Sequence, residues 1–249
     1  MVRQLIMSGL AAVCLVLPAC QQAQDNTRPP TARDFPRAYR PVSAVSSSAF
    51  SNEQSRDDRR EAQTVMDLAQ IRRGMTVADI GAGEGYYTVR LAERVGKSGR
   101  VLAEDINGAA LARLGSRVEA ERLDNVSIKQ GTEDDPRLPR DSFDRIFMVH
   151  MYHEVSEPYA FLWRLRPALR EDGQVIVVDA DRPTNQHGIP PKLLFCEFDR
   201  VGFRLIEFVR KPEIAGYFAR FEAVGKRPEP HDIEPCSRPG DESAEGLAS

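Results

Sequence analysis

A short apolar run from Met75 to Ile80 passes directly into Gly81-Ala82-Gly83-Glu84-Gly85, and a helical pattern follows over 86–95. A strand that ends in glycines and restarts as a helix reads as the first half of a strand-helix-strand crossover. The alternation then continues along the chain. Strands are predicted over 100–105, 126–130, 143–149 and 174–179, separated by helices over 109–122, 159–169 and 191–201, and a helix over 57–71 leads in. Two late strands, 203–209 and 217–224, flank Lys211-Pro212-Glu213 and face each other. This pattern predicts an α/β fold, a doubly wound, mostly parallel sheet covered on both faces with an antiparallel C-terminal edge. Ligands of such sheets sit at the carboxyl ends of the strands.

The flanks differ in composition from this core. Arg3 precedes a mostly apolar run from Leu5 to Leu17, and Leu17-Pro18-Ala19-Cys20 follows. A basic start with an apolar stretch too short to span a bilayer reads as an export signal. Residues 1–20 are therefore expected to be a lipoprotein-type signal peptide, with an acylated Cys20 holding the protein on a membrane facing the periplasm. The alternative is a cytoplasmic chain in which the signal is unused. Residues 21–55 are rich in Pro, Ser and Arg and are expected to be a flexible tether; 56–227 form one domain, and 228–249 read as a disordered tail. Cys196 and Cys236 lie on a predicted helix and in that tail, and no disulfide is expected between them. No Cys or His cluster has zinc-ligand spacing, so no metal is expected. A formal net charge of −3 gives no broad cationic surface for nucleic acid.

Chemistry concentrates after four of the strands. The loop 81–85 allows a ligand to approach backbone closely, but Tyr86 stands where a dinucleotide fingerprint needs its third glycine, and no phosphate-loop Lys follows. Asp105, at the end of the second strand, is placed to accept both hydroxyls of a ribose. Carboxylates recur in Gly131-Thr132-Glu133-Asp134-Asp135, and polar residues break out in His150-Met151-Tyr152-His153-Glu154. His187, on a later loop, is read as a surface residue.

In these motifs the chain resembles class I S-adenosylmethionine-dependent methyltransferases, over about residues 72–224, and in particular a group of exported bacterial proteins. The carrying motifs are V-A-D-I-G-A-G-E-G-Y-Y-T (77–88), G-R-V-L-A-E-D-I (99–106), G-T-E-D-D-P-R-L-P (131–139), S-F-D-R-I-F-M-V-H-M-Y-H-E-V (142–155) and L-R-P-A-L-R-E-D-G-Q-V (165–175). The resemblance implies the Rossmann-like methyltransferase fold, S-adenosylmethionine as cofactor and methyl transfer to an acceptor, a small molecule by default. It implies that Asp79, Gly81 and Gly83 shape the methionine pocket, that Asp105 binds ribose, and that Glu133 or Asp134 lies near adenine. His153 and Glu154 are the candidate bases, Tyr152 or His150 would orient substrate, and His150 is also counted with the cofactor residues. The rival reading is a non-catalytic nucleoside-binding module on a lipoprotein.

Overall fold

The computed structural model describes residues 27–44, 53–214 and 216–236. The signal peptide, Cys20, and much of the expected tether and tail lie outside them. Two short helices, α1 (Glu53–Asp58) and α2 (Glu61–Leu68), precede the first strand, β1 (Thr76–Ile80). One continuous helix over 57–71 was the expectation; Arg60 adopts a left-handed conformation, φ 55°, and breaks it. The chain continues through α3 (Tyr86–Val95), β2 (Arg100–Asp105), α4 (Gly108–Ala120), β3 (Val126–Gln130) and β4 (Phe143–Val149). It closes with α5 (Pro158–Leu165), β5 (Leu169–Asp179), α6 (Pro191–Arg200), β6 (Phe203–Lys211) and β7 (Gly216–Ala223).

Seven strands form one sheet in the order β3-β2-β1-β4-β5-β7-β6, parallel as far as β5, with β7 antiparallel to both of its neighbours. The central strands carry continuous apolar runs, 146–149 in β4 and 175–178 in β5, because both faces are covered. Ile146 and Met148 join the core under α5 and α6, while Phe147 between them joins the core under α2 and α3. Val177 and Val178 divide in the same way. The strand order brings the carboxyl ends of β2, β1, β4 and β5 side by side, so the loops carrying the candidate residues share one edge.

Two expectations about the flanks are overturned. Across 27–44 the chain is docked, not a loose tether. Ala32 and Phe35 are buried in the core under α5, and the Phe35 ring meets Trp163 edge-on at 5.4 Å between centroids. Arg28 pairs with Glu157 at 2.6 Å and Arg40 with Glu197 at 2.8 Å, the Arg40 and Glu197 side chains being 3% and 1% exposed. At the other end, Ile233 is buried and Cys236 forms a disulfide with Cys196 of α6, so 228–236 is held to the domain. Composition concealed this because the docking relies on a few residues whose partners are far away in sequence. Among the described residues, no helix is long and apolar enough to cross a membrane.

Candidate active site

The loop after β1 makes its turns with Gly81 and Gly83 at φ 68° and 55°. A Cβ on Gly81 would stand 2.9 Å from the Cβ of Met151, so this loop touches the segment that follows β4. A Cβ on Gly83 would meet nothing within 4 Å, which leaves open space above its backbone. At the edge of that space, one carboxylate oxygen of Asp105 accepts the N–H of Gly83 and the other that of Asn107, both at 2.8 Å. The Asn107 side chain in turn caps α4 by accepting from Ala109 and Ala110. Asp105 is thus oriented by backbone, beside the exposed side chain of Ile106.

Asp79 lies beneath the loop, buried, and accepts the Thr88 hydroxyl at 2.6 Å. Burial raises its pKa to about 6, against the pull of that hydroxyl. Sequence reasoning passed over Glu104. This side chain is buried between the loops after β1 and β3, where a Cβ on Gly131 would collide with its carboxylate. Burial, and then the charge of Asp105, push its pKa to about 8. The Glu104-Asp105 doublet at a strand end was the available signal.

After β3 the two candidate carboxylates part company. Glu133 is exposed on a cavity of about 670 Å³ lined also by Ile106, Gly131 and Thr132, and accepts from the Ser156 hydroxyl at 3.3 Å. Asp134 is buried and committed elsewhere: Arg164 at 2.7 Å, the Thr31 hydroxyl at 2.6 Å and the Thr132 hydroxyl at 3.0 Å. It ties the docked N-terminal segment to the domain, which withdraws it from adenine recognition.

After β4 the polar residues diverge similarly. His150, at φ 55°, reaches Nε2 to within 3.4 Å of Glu61, which also accepts from Arg56 and from the Tyr87 hydroxyl. Burial acts to raise the Glu61 pKa, but His150 and Arg56 together outweigh it and hold the carboxyl at about 2. Tyr86 completes this group, its hydroxyl on Asp57 and its ring between the guanidinium groups of Arg56 and Arg90. His150 therefore faces α2, on the side of the β1 loop. Tyr152 is fully buried and donates to Glu197, the partner of Arg40, at 2.8 Å. It belongs to an interior ion-pair network and cannot orient a substrate.

His153 is the candidate that the fold equips most fully. It occupies a 3-10 turn, Tyr152–Glu154, with its ring fully buried and Nδ1 3.0 Å from both carboxylate oxygens of Asp179 at the end of β5. An ionised carboxylate only accepts, so Nδ1 carries a proton, and in the neutral ring Nε2 presents its lone pair. Nε2 has no hydrogen-bond partner among the described residues and lies 3.9 Å from Glu154. The ring of His187 stands edge-on to that of His153, 5.7 Å away, so His187 is half-buried over the site and not on the surface. His153, Glu154 and His187 offer ligand atoms within 4.8 Å of one another, a convergence that the absence of zinc-ligand spacing did not anticipate.

Known proteins resemble the chain in sequence and fold. Residues 77–173 match the family described as methyltransferase domain. The ubiquinone/menaquinone biosynthesis C-methyltransferase UbiE of Methylococcus capsulatus is 30% identical over 147 residues, covering 59% of this chain and 57% of that protein. The UbiE of Hahella chejuensis is 29% identical over 122 residues, 48% of this chain and 49% of that protein. The chain thus spans about half the length of the curated relatives it matches. The crystal structure of a SAM-dependent methyltransferase from Aquifex aeolicus superimposes with a TM-score of 0.61 at 25% identity, covering 67% of this chain and 90% of that one. In fold, glycine loop and these matches the chain is similar to class I S-adenosylmethionine-dependent methyltransferase domains, the family match falling on residues 77–173.

Proposed function

We propose that this chain transfers the methyl group of S-adenosylmethionine to a small-molecule acceptor. The observation that carries the reading is the open space above Gly83, bounded by an Asp105 carboxylate already oriented by two backbone N–H groups. A ribose fits that edge, because its paired hydroxyls need a charged, bidentate acceptor. Ile106 and Glu133, on the adjoining cavity, are the candidates for the base. The buried carboxyl of Asp79 suits the cationic end, and His150 with Glu61 closes the far wall.

The bound cofactor supplies a methyl on a sulfonium, whose carbon-sulfur bond breaks as the acceptor's bond to that methyl forms. The chain has to line up the acceptor behind the methyl and take its proton. The ends of β2 and β4 lie two strand spacings apart, about 10 Å. That separation sets the ribose grip on one side of the reacting centre and the turn Tyr152–Glu154 on the other. His153, held by Asp179, is the proton acceptor at that turn, with Glu154 beside it. Likeness to the UbiE C-methyltransferases favours carbon as the methylated atom.

Calorimetric titration of the full chain with S-adenosylmethionine and S-adenosylhomocysteine tests this directly. One equivalent of each should bind, and Asp105→Ala should weaken both at least tenfold; no binding of either overturns the reading. We place the protein outside the cytosol, anchored through Cys20. The signal-like residues 1–20 and the Cys196–Cys236 disulfide support this, since such bonds persist in oxidising compartments. A Cys20→Ser variant should move from the membrane fraction to the soluble one.

A further inference from the structure

We propose that His153, Glu154 and His187 bind a divalent first-row transition cation, with Asp179 as the outer carboxylate that orients His153. A fully buried imidazole nitrogen with no partner is costly unless a ligand completes it. Here the lone pair of Nε2 points into a group of one further imidazole and one carboxylate. Two nitrogens and an oxygen are the donor set of a borderline ion such as zinc, with at least one position left open.

The surroundings support the ligands in the manner of a built site. Asp179 accepts from His153 Nδ1 on both oxygens and from the N–H of Ala180 at 2.8 Å, so it can neither rotate nor release the ring cheaply. Carboxylate-held histidine of this kind is the usual outer layer of a metal site, where it fixes the tautomer and raises ligand basicity. The loop carrying His187 is closed on itself, its Arg182 and Ile189 N–H groups both meeting the Ala180 carbonyl. Ser43 pins it from the N-terminal segment, accepting the His187 N–H at 3.0 Å and donating to the Thr184 carbonyl at 2.6 Å.

Donor atoms around a tetrahedral zinc stand about 3.3 Å apart. Closing from within 4.8 Å requires movement only of Glu154 and His187, the two partly exposed members. An ion there would engage the Nε2 lone pair, so that His153 accepts a proton only in the metal-free protein, and would present its open position to an acceptor oxygen. That last role rests on the methyl-transfer reading; binding of the ion does not.

The test is titration of the full-length, untagged chain, stripped with a chelator, with Zn²⁺ by calorimetry and with Co²⁺ by visible absorption. One equivalent should bind, with cobalt bands of nitrogen and oxygen coordination. Glu154→Gln and His187→Ala should each weaken binding at least tenfold while leaving the melting temperature of the metal-free protein within a few degrees. Asp179→Asn should weaken it about 10- to 100-fold, and His231→Ala, an exposed histidine elsewhere, should change nothing. Absence of stoichiometric binding, or binding that survives both Glu154→Gln and His187→Ala, overturns the proposal. S-adenosylhomocysteine binding by the same stripped protein is measured separately; its loss would count against the methyl-transfer reading and leave the metal site standing.

Discussion

The two halves of the carboxyl edge are built in different ways. Around β1 and β2 the work is done by the ends of two adjacent strands: Gly83 after β1, and Asp105 with Ile106 and Asn107 at the end of β2, held by backbone N–H groups. Around β4 and β5 it is done by side chains, two of them recruited from the distant N-terminal segment, with Arg40 reaching Glu197, Ser43 reaching the His187 loop and Asp179 holding His153. A half made of local backbone tolerates the loss of one side chain. One made of buried charges does not, because each group removed strands another in low dielectric.

The sharpest way to break this contrast is Arg40→Ala. It leaves Glu197 buried without its cation and should cost about 3–5 kcal/mol in urea denaturation; a loss below about 1 kcal/mol would mean the distant contacts carry little. Next comes Cys236→Ser, which opens a disulfide spanning 40 residues and should cost about 2–4 kcal/mol under oxidising conditions, with no change once a reductant is added to both proteins. On the local side, Asp105→Ala should lower cofactor affinity by at least about 1.4 kcal/mol, the tenfold loss named above, yet shift unfolding by less than either of the first two. Unfolding as severe as that of Arg40→Ala would erase the distinction.

The smallest effect should come from Glu104→Gln. The folded pKa of Glu104, about 8, exceeds its ordinary value of 4.5, so its protonated form is favoured by folding. That contribution is complete below pH 4.5 and disappears as pH rises through 8. The glutamine cannot ionise, so the variant should gain on the native protein as pH rises from about 4.5 through about 8. Parallel pH-stability curves would show that Glu104 ionises in place at no cost.

What could be read in advance follows the same division. The strand-helix alternation, the glycine loop and the position of Asp105 at a strand end were legible because they lie in short spacings. The docking of 27–44 was not, since Pro, Ser and Arg suggest a chain that buries little, and what holds it is Phe35, Arg28 and Arg40 against partners more than 100 positions away. Tyr152 and His153 are adjacent and were both expected at the substrate, one to orient it and one as base; only the fold sends one to Glu197 and the other to Asp179. Asp179 itself read as a strand ending, and His187 as surface, until β5 and its following loop were placed beside β4.

The docked N-terminal segment shortens the leash. From Cys20 to Thr27 there are 7 residues, which can reach no more than about 25 Å even when fully drawn out, whereas a free stretch from 21 to 55 would span over about 100 Å. A protein acylated at Cys20 would therefore ride against the bilayer surface, within arm's length of lipid-soluble acceptors and poorly placed to forage in the surrounding fluid.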